Sequence, residues 1–169
     1  MASQKNDYAD FIKQVESDLG DKLLEASVNY GFPRFIIRPD AVLDVCRYFK
    51  EQHRFIYLSE ITGTDRFTTE DRFEVIYNII SLRDQRRIFI KTRVEEDEPE
   101  LPSVCDIWPG ANWHEREVYD MFGVTFSDHP DPRRIFMPED YRYYPLRKEF
   151  PLLGVPGSIE LPNTTPDQD

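Results

Sequence analysis

The residues best suited to chemistry lie between Trp113 and Gly154. Carboxylates in and just before this stretch could supply a pair for general acid–base catalysis: Asp106, Glu115, Glu117 and Asp120. Basic side chains follow them at Arg133, Arg134, Arg142, Arg147 and Lys148. His114-Glu115 resembles the start of a HExxH zinc site, but Val118 stands where the second histidine would be. Because a nearby arginine holds a carboxylate in its ionised form, the pattern favours structural ion pairs over acid–base catalysis.

Residues 113–123 have the pattern of a short helix that ends at glycine, which tolerates the left-handed conformation of a helix C-terminus. At about 100° per residue, Glu115 falls on the apolar side of this helix, with Val118 and Met121. A buried carboxylate needs a partner. We therefore expect either an ion pair with an arginine of the following loop or a capping box with Asn112 as the N-cap.

The opposite side of this helix carries charge and one large aromatic residue, at Trp113, Arg116, Glu117 and Asp120. This composition is typical of an interface anchor; the alternative is that Trp113 packs on a local loop and the charges are solvated. Beyond the helix we find no helical or strand periodicity, and prolines recur at 130, 132, 138, 145 and 151. Residues 155–169 cannot form a core, so they are either disordered or an extended arm that lies on another protein.

The order and spacing of these motifs resemble the thirty-kilodalton subunit of respiratory complex I, the proton-pumping NADH:quinone oxidoreductase. The matching motifs are Glu-Arg-Glu at 115–117, Asp-Met-Phe at 120–122, His129, Arg-Arg-Ile-Phe at 133–136 and Pro-Leu-Arg-Lys at 145–148. The resemblance assigns the family motif and partner docking to Trp113, Glu115, Arg116, Glu117, Asp120, His129, Arg133, Arg134, Arg147 and Lys148. On this interpretation they form an ion-paired loop that fixes the shape of a docking surface.

The resemblance implies a non-catalytic subunit of the peripheral arm, at the cytoplasmic face of the bacterial inner membrane. It implies docking against the large quinone-cavity subunit and against the iron–sulfur subunits of the hydrophilic arm. NAD, FMN, iron–sulfur clusters and quinone are then held by those partner subunits, and this chain holds no cofactor. Two alternatives stay open: the equivalent subunit of a membrane-bound hydrogenase or ferredoxin-linked complex, and an independent hydrolase that uses the carboxylates and His114.

Composition excludes several other classes of function. The chain has 169 residues, enough for one domain with a real core, and a net charge of −11, which disfavours nucleic acid and anionic lipid as direct partners. No apolar run is long enough to span a membrane. The glycines form no dinucleotide or phosphate loop. Cys46 and Cys105 are far apart, so neither a zinc site nor an iron–sulfur cluster is indicated, and free thiols in a cytosolic compartment are the simplest expectation.

Periodicity upstream predicts an α+β fold, in which N-terminal helices pack on a small mixed or antiparallel sheet. We expect helices at 7–19 and 39–52, strands at 26–30, 34–37, 55–64, 72–82 and 87–94, and a short helix at 101–107 that begins near Pro102. Residues 95–100 read as a solvated acidic loop. Residues 1–125, which include the helix at 113–123, are predicted to form the α+β domain, and residues 126–169 the arginine- and proline-rich loop and C-terminal arm.

Overall fold

The computed structural model describes residues 2–151, with side-chain detail from Tyr8 onward. Three α-helices are present: α1 (Ala2–Leu19), α2 (Val42–His53) and α3 (Ala111–Phe122). The strands are β1 (Leu23–Asn29), β2 (Phe32–Ile37), β3 (Tyr57–Asp65), β4 (Phe73–Ser81), β5 (Arg86–Val94), β6 (Glu100–Pro102) and β7 (Thr125–Ser127). None of the described helices is both long and apolar enough to cross a membrane.

The main sheet is mixed and has the strand order β1-β2-β5-β4-β3. Its central pair, β2 and β5, is parallel, and the other neighbours are antiparallel. Strand β4 forms because its apolar residues alternate: Phe73, Val75, Tyr77 and Ile79 point to one side and are buried. A second, two-stranded parallel sheet joins β6 to β7.

All three helices pack on the same side of the main sheet. Phe11 of α1 and Phe49 of α2 meet Phe35 of β2, with ring centroids 6.1 and 5.2 Å apart. The third helix packs on β3, where Gly63 leaves room for the ring of Phe122. None of the helices within residues 2–151 packs on the opposite side of the sheet.

The structure confirms the predicted α+β class and its mixed sheet. The predicted helix at 101–107 is wrong, because Leu101 lies in β6, where it is the register partner of Phe126. Strand β7 likewise lies in a segment where we found no strand periodicity. Three-residue strands are too short to show an alternating pattern, and these two exist because they pair with each other.

Candidate docking site on helix α3 and the loop that follows

Helix α3 ends as its glycine indicates. Gly123 has φ +79°, and its N–H donates to the carbonyl of Tyr119 at 2.8 Å. The predicted N-cap is wrong: Gly110 is the capping residue, and Asn112 lies inside the helix. Local patterns do not reveal this start, because the first helical residue is Ala111, which has no helix-start signature of its own.

The loop that follows α3, residues 128–151, folds back over the end of this helix. The Leu146 N–H donates to the Met121 carbonyl at 3.1 Å, and the Arg147 Nε donates to the Phe122 carbonyl at 2.6 Å. A Cβ at Gly123 would lie 2.6 Å from the Arg147 guanidinium and 2.7 Å from the ring of Tyr144. Glycine is therefore required here twice, for its backbone angle and for the close passage of the loop.

Asp120 is the anchor of this loop. Its side chain is fully buried, and its Oδ2 accepts the backbone N–H groups of Ile135, Phe136 and Met137 at 3.1, 2.6 and 3.0 Å. Its Oδ1 accepts a hydrogen bond from Arg134 at 2.7 Å. Burial alone would raise the pKa of the Asp120 carboxyl, but the hydrogen bonds from Met137, Arg134, Phe136 and Ile135 outweigh it and lower that pKa. The loop is thus wrapped around an ionised carboxylate.

Two arginines tie the loop to the helix from either side. The Arg134 guanidinium lies over the rings of Tyr119 and Tyr144, 5.5 and 5.1 Å from their centroids. Arg116 of α3 is buried and donates to the carbonyls of Arg133 and Arg134 at 2.7 and 3.1 Å. Its Nη1 also lies 3.2 Å from Asp131. Arginine suits this role because its planar fork donates several hydrogen bonds at fixed angles.

Glu115 is fully buried but does not pair with an arginine, so that prediction is wrong. Its Oε2 accepts the Ser103 hydroxyl at 2.6 Å, and its Oε1 accepts the backbone N–H of Val104 at 2.7 Å. Burial raises the pKa of the Glu115 carboxyl, and these hydrogen bonds lower it only in part. The capping box also fails, because both oxygens face the segment after β6. Arginines of the loop pair instead with Asp131, Asp120 and Glu149.

His129 adds a third group near Glu115, with Nε2 3.6 Å from the carboxylate. Side-chain atoms of Cys105, Glu115 and His129 all lie within 4.8 Å of one another, which raises the question of a metal centre. However, His129 Nδ1 accepts the Asp131 N–H at 3.0 Å, so the ring proton sits on Nε2, which faces the Asn112 carbonyl at 3.2 Å. A metal needs that Nε2 lone pair, and the donor set therefore does not fit a metal.

The far end of the loop is held by a second buried carboxylate, which no sequence pattern had marked as part of the site. Asp65, at the end of β3, accepts the Lys148 backbone N–H at 2.8 Å and two hydrogen bonds from Arg72 at 2.8 and 3.1 Å. Arg72 also pairs with Glu96 and Glu149. Burial works to raise the pKa of Asp65, but the bonds from Arg72, Lys148 and Phe67 lower it to about 2.

The predicted exposed face of α3 is only half right. Trp113 is 63% exposed, with the Arg116 guanidinium 5.0 Å from its ring centroid, and Glu117 is exposed as well. Arg116 and Asp120 are buried instead, since the loop covers them. Of the other predicted site residues, Arg133 is exposed and pairs with Asp131. Lys148 takes part only through its backbone N–H, which donates to Asp65.

The loop and α3 together present large apolar side chains to solvent. They are Trp113, Phe136, Tyr143 and Leu146, each 48 to 63% exposed. The walls of a cavity of about 290 Å³ include Tyr119, Phe126 and Pro132 together with the polar residues Glu115 and His129. Apolar and aromatic groups on a backbone that is fixed from beneath are what a binding surface requires, because little conformational freedom is then lost on association.

Comparison with known proteins identifies the family of the chain. Residues 35–155 match the family described as "Respiratory-chain NADH dehydrogenase, 30 Kd subunit". The NADH-quinone oxidoreductase C subunit of Roseiflexus sp. (strain RS-1) is 40% identical over 148 residues, which cover 86% of this chain and 85% of that protein. The protein of the same name from Bartonella bacilliformis is 42% identical over 142 residues, 83% of this chain and 69% of that one.

Solved structures agree with this assignment. A trypsin-resistant fragment (1-134) of Nqo5 is 32% identical with a TM-score of 0.55, over 72% of this chain and 98% of the fragment. A chain of the membrane-bound sulfane sulfur reductase, an archaeal respiratory membrane complex, is 27% identical with a TM-score of 0.74, over 87% of both chains. The fold is thus one found in respiratory complexes. The chain itself belongs to the 30 kDa subunit family of the respiratory-chain NADH dehydrogenase.

Proposed function

We propose that this chain is a non-catalytic subunit of the proton-translocating NADH:quinone oxidoreductase, in which α3 and the loop at 128–151 form a docking surface. One observation carries the proposal. Buried carboxylates hold the loop at both ends, Asp120 near its start and Asp65 near its finish, while three large side chains between them, Phe136, Tyr143 and Leu146, face solvent. Such a loop loses its conformational entropy when the chain folds, so little more entropy is lost when a partner binds.

The chemistry of the ionisable groups supports a scaffold role over catalysis by the isolated chain. Asp120 and Asp65 are committed to arginine and backbone N–H partners, and Glu115 is held by Ser103 and Val104. A general base must reach its substrate proton, and these carboxylates are fully buried or nearly so. Glu115 and His129 do line the cavity of about 290 Å³, but both Glu115 oxygens already accept hydrogen bonds from Ser103 and Val104, which disfavours the independent hydrolase.

We assign the partners by family. The docking surface would contact the large quinone-cavity subunit and the iron–sulfur subunits, which would carry the NAD, FMN, cluster and quinone sites. The chain would then lie peripherally at the cytoplasmic face of the bacterial inner membrane. In this proposal residues 1–125 form the folded domain and residues 126–169 the docking loop and arm, of which 152–169 lie outside the described residues.

A second candidate is the equivalent subunit of a sister complex. The similarity to a chain of the membrane-bound sulfane sulfur reductase supports it, with its TM-score of 0.74. The curated relatives from Roseiflexus and Bartonella favour the NADH-quinone assignment, since they match at 40% and 42% identity. Identifying the other subunits of the purified complex separates the two candidates.

Leu146→Asp tests the docking role, with Leu24→Asp as its matched control. Leu146 is 53% exposed on the loop, and Leu24 is 63% exposed on the edge strand β1. Loss of an apolar anchor at an interface costs about 2 kcal/mol or more, so we expect the assembled complex to fall at least tenfold for the loop variant only. The measurement is the amount of chain in the intact complex on a native gel, beside NADH:quinone turnover per assembled complex.

The docking role predicts that turnover per assembled complex is unchanged in both variants. Full assembly with lost turnover in Leu146→Asp would move the residue into the chemistry and refute the scaffold role. Thermal unfolding of the free chain serves as the folding control, and both variants should unfold near the wild-type temperature because both leucines are exposed.

A further inference from the structure

The side of the main sheet away from the helices forms a second surface, which we call the outer face. By strand alternation, this face includes Phe32 and Arg34 of β2, Ile76 and Asn78 of β4, and Arg87 and Phe89 of β5. The three helices within residues 2–151 all pack on the other side of the sheet. It lies across the sheet from the helices and is separate from the docking loop on α3.

The centre of the outer face is apolar and concave. Phe32 and Phe89 meet edge to face with ring centroids 6.0 Å apart. Together with Tyr30 and Ile76 they help to line a groove of about 420 Å³. Tyr30 at its rim is 99% exposed. Aromatic side chains that line an open groove are the usual receivers of an inserted apolar side chain.

Asn78 lies in this groove and has an unsatisfied hydrogen-bond acceptor. It is opposite Phe89 on β5 and Glu60 on β3, and it is only 8% exposed. Its Oδ1 has no hydrogen-bond partner among the described residues. A buried acceptor without a donor costs about 1–3 kcal/mol. The groove therefore offers an acceptor to whatever lies in it.

The charge of the outer face differs from that of the rest of the chain. It carries four cations, Arg34, Arg87, Lys91 and Arg93, against three anions, Glu25, Glu60 and Glu74, although the chain as a whole has a net charge of −11. Three of the cations are paired with Glu25 or Glu74. Arg87 lies 5.9 Å from the Phe32 ring centroid and has no carboxylate partner in the described part of the chain.

We propose that the outer face is a second docking surface, which receives an acidic polypeptide segment of a neighbouring subunit. That segment would place an apolar side chain between Phe32 and Phe89, an N–H donor on Asn78 and a carboxylate on Arg87. A flat anionic membrane is a poorer occupant, because it does not place a side chain in the groove between Phe32 and Phe89. This inference rests on the proposal that the chain is a subunit of a multisubunit complex. It does not require that the loop at 128–151 also docks.

Site-specific photocrosslinking in the intact complex tests whether the outer face is a second docking surface. Phe89 is replaced by p-benzoylphenylalanine, and the complex is purified and irradiated; matched complexes carry the same group at Leu146 in the loop and at Leu24 on the edge strand. We expect position 89 to crosslink to another subunit, at a segment that contains Asp or Glu. Adding Arg87→Glu should lower that yield at least tenfold, while Arg87→Lys should largely retain it.

A crosslink at 146 with none at 89 would overturn the second surface and leave the loop proposal standing. The reverse result would overturn the loop and support the outer face. Crosslinks from 89 to lipid or to a second copy of this chain would overturn the assigned occupant. If the modified chain does not assemble, hydroxyl-radical footprinting of the wild-type complex decides: Phe32 and Phe89 should be oxidised several-fold more slowly than in the free chain, and equal rates would refute the surface.

Discussion

Asp120→Ala should release the loop at 128–151 from α3 without unfolding the domain. The carboxylate holds Arg134 at 2.7 Å and three successive backbone N–H groups of the loop, all from a fully buried position. Alanine removes every one of these contacts at once. The main sheet shares none of them, so the loss is local to residues 128–151.

The size of the effect follows from the buried ion pair. Removing one partner of such a pair costs about 3–5 kcal/mol, because the remaining charge is left without compensation. The Arg134 side chain is only 7% exposed, so water cannot readily solvate its charge while it stays in this position. A cost of about 4 kcal/mol corresponds to roughly a thousandfold rise in the open population of the loop. Asp120→Asn keeps one acceptor oxygen and should lose less.

Hydrogen exchange of the free chain measures this directly. The amides of Ile135, Phe136 and Met137 donate to Asp120 and report its loss. Where opening is fast and reversible, their exchange rates follow the open population and should rise by about two to four orders of magnitude. Amides in β4 should be unchanged. Glu117→Ala is the control: this carboxylate lies on the same helix but is exposed, so exchange should change less than about twofold.

Unchanged protection at 135–137 in Asp120→Ala would refute the anchor role of the carboxylate. Uniform loss of protection across the sheet would also contradict the account, because it would mean that the loop and the domain unfold as one unit. Either result would mean that the contacts of Asp120 do not hold the proposed docking surface in place independently of the rest of the domain.

Substitutions at three further positions are informative. Glu115→Ala should destabilise the chain by about 3 kcal/mol in urea unfolding, since it leaves buried donors unpaired. Glu115→Gln keeps the shape; because folding raises the pKa of this carboxyl above its usual 4.5, wild-type stability should fall as pH rises above that value, and the Gln variant should not show this fall. Gly123→Ala should loosen the loop more than Gly20→Ala loosens its own turn, since both have positive φ but only Gly123 is crowded. Gly63→Ala should cost about 1–3 kcal/mol, because its Cβ would lie 2.7 Å from an α3 ring, whereas Gly110→Ala has open space and should be nearly neutral in thermal unfolding.

The sequence predicts what local patterns control. The alternation of Phe73, Val75, Tyr77 and Ile79 defines β4, and Gly123 defines the end of α3. The α+β class follows from such elements, because amphipathic helices and half-buried strands have few ways to share a core. Four residues of the family motif, Arg116, Asp120, Arg134 and Arg147, take part in fixing the loop, whereas their role in docking stays a prediction.

The partners within that region could not be predicted from local patterns. Glu115 pairs with Ser103 and Val104 because β6 and its following turn pass beside α3, and β6 exists only through its pairing with β7. The hydrogen bond from the Lys148 N–H to Asp65 joins the loop to the end of β3, 83 residues away in sequence. No periodicity marks such a contact. Helix projection predicted an exposed Asp120 because it treats the helix alone and leaves out the loop that folds over it.

We propose that α3 and its loop form a docking surface that is already ordered before assembly. An electron cryo-microscopy map of the intact complex would show whether this is so. We expect residues 128–151 to follow the same path as in the free chain, with Phe136, Tyr143 and Leu146 packed against a neighbouring subunit. A map in which these side chains face solvent, or in which Asp120 has released the loop, would contradict the claim.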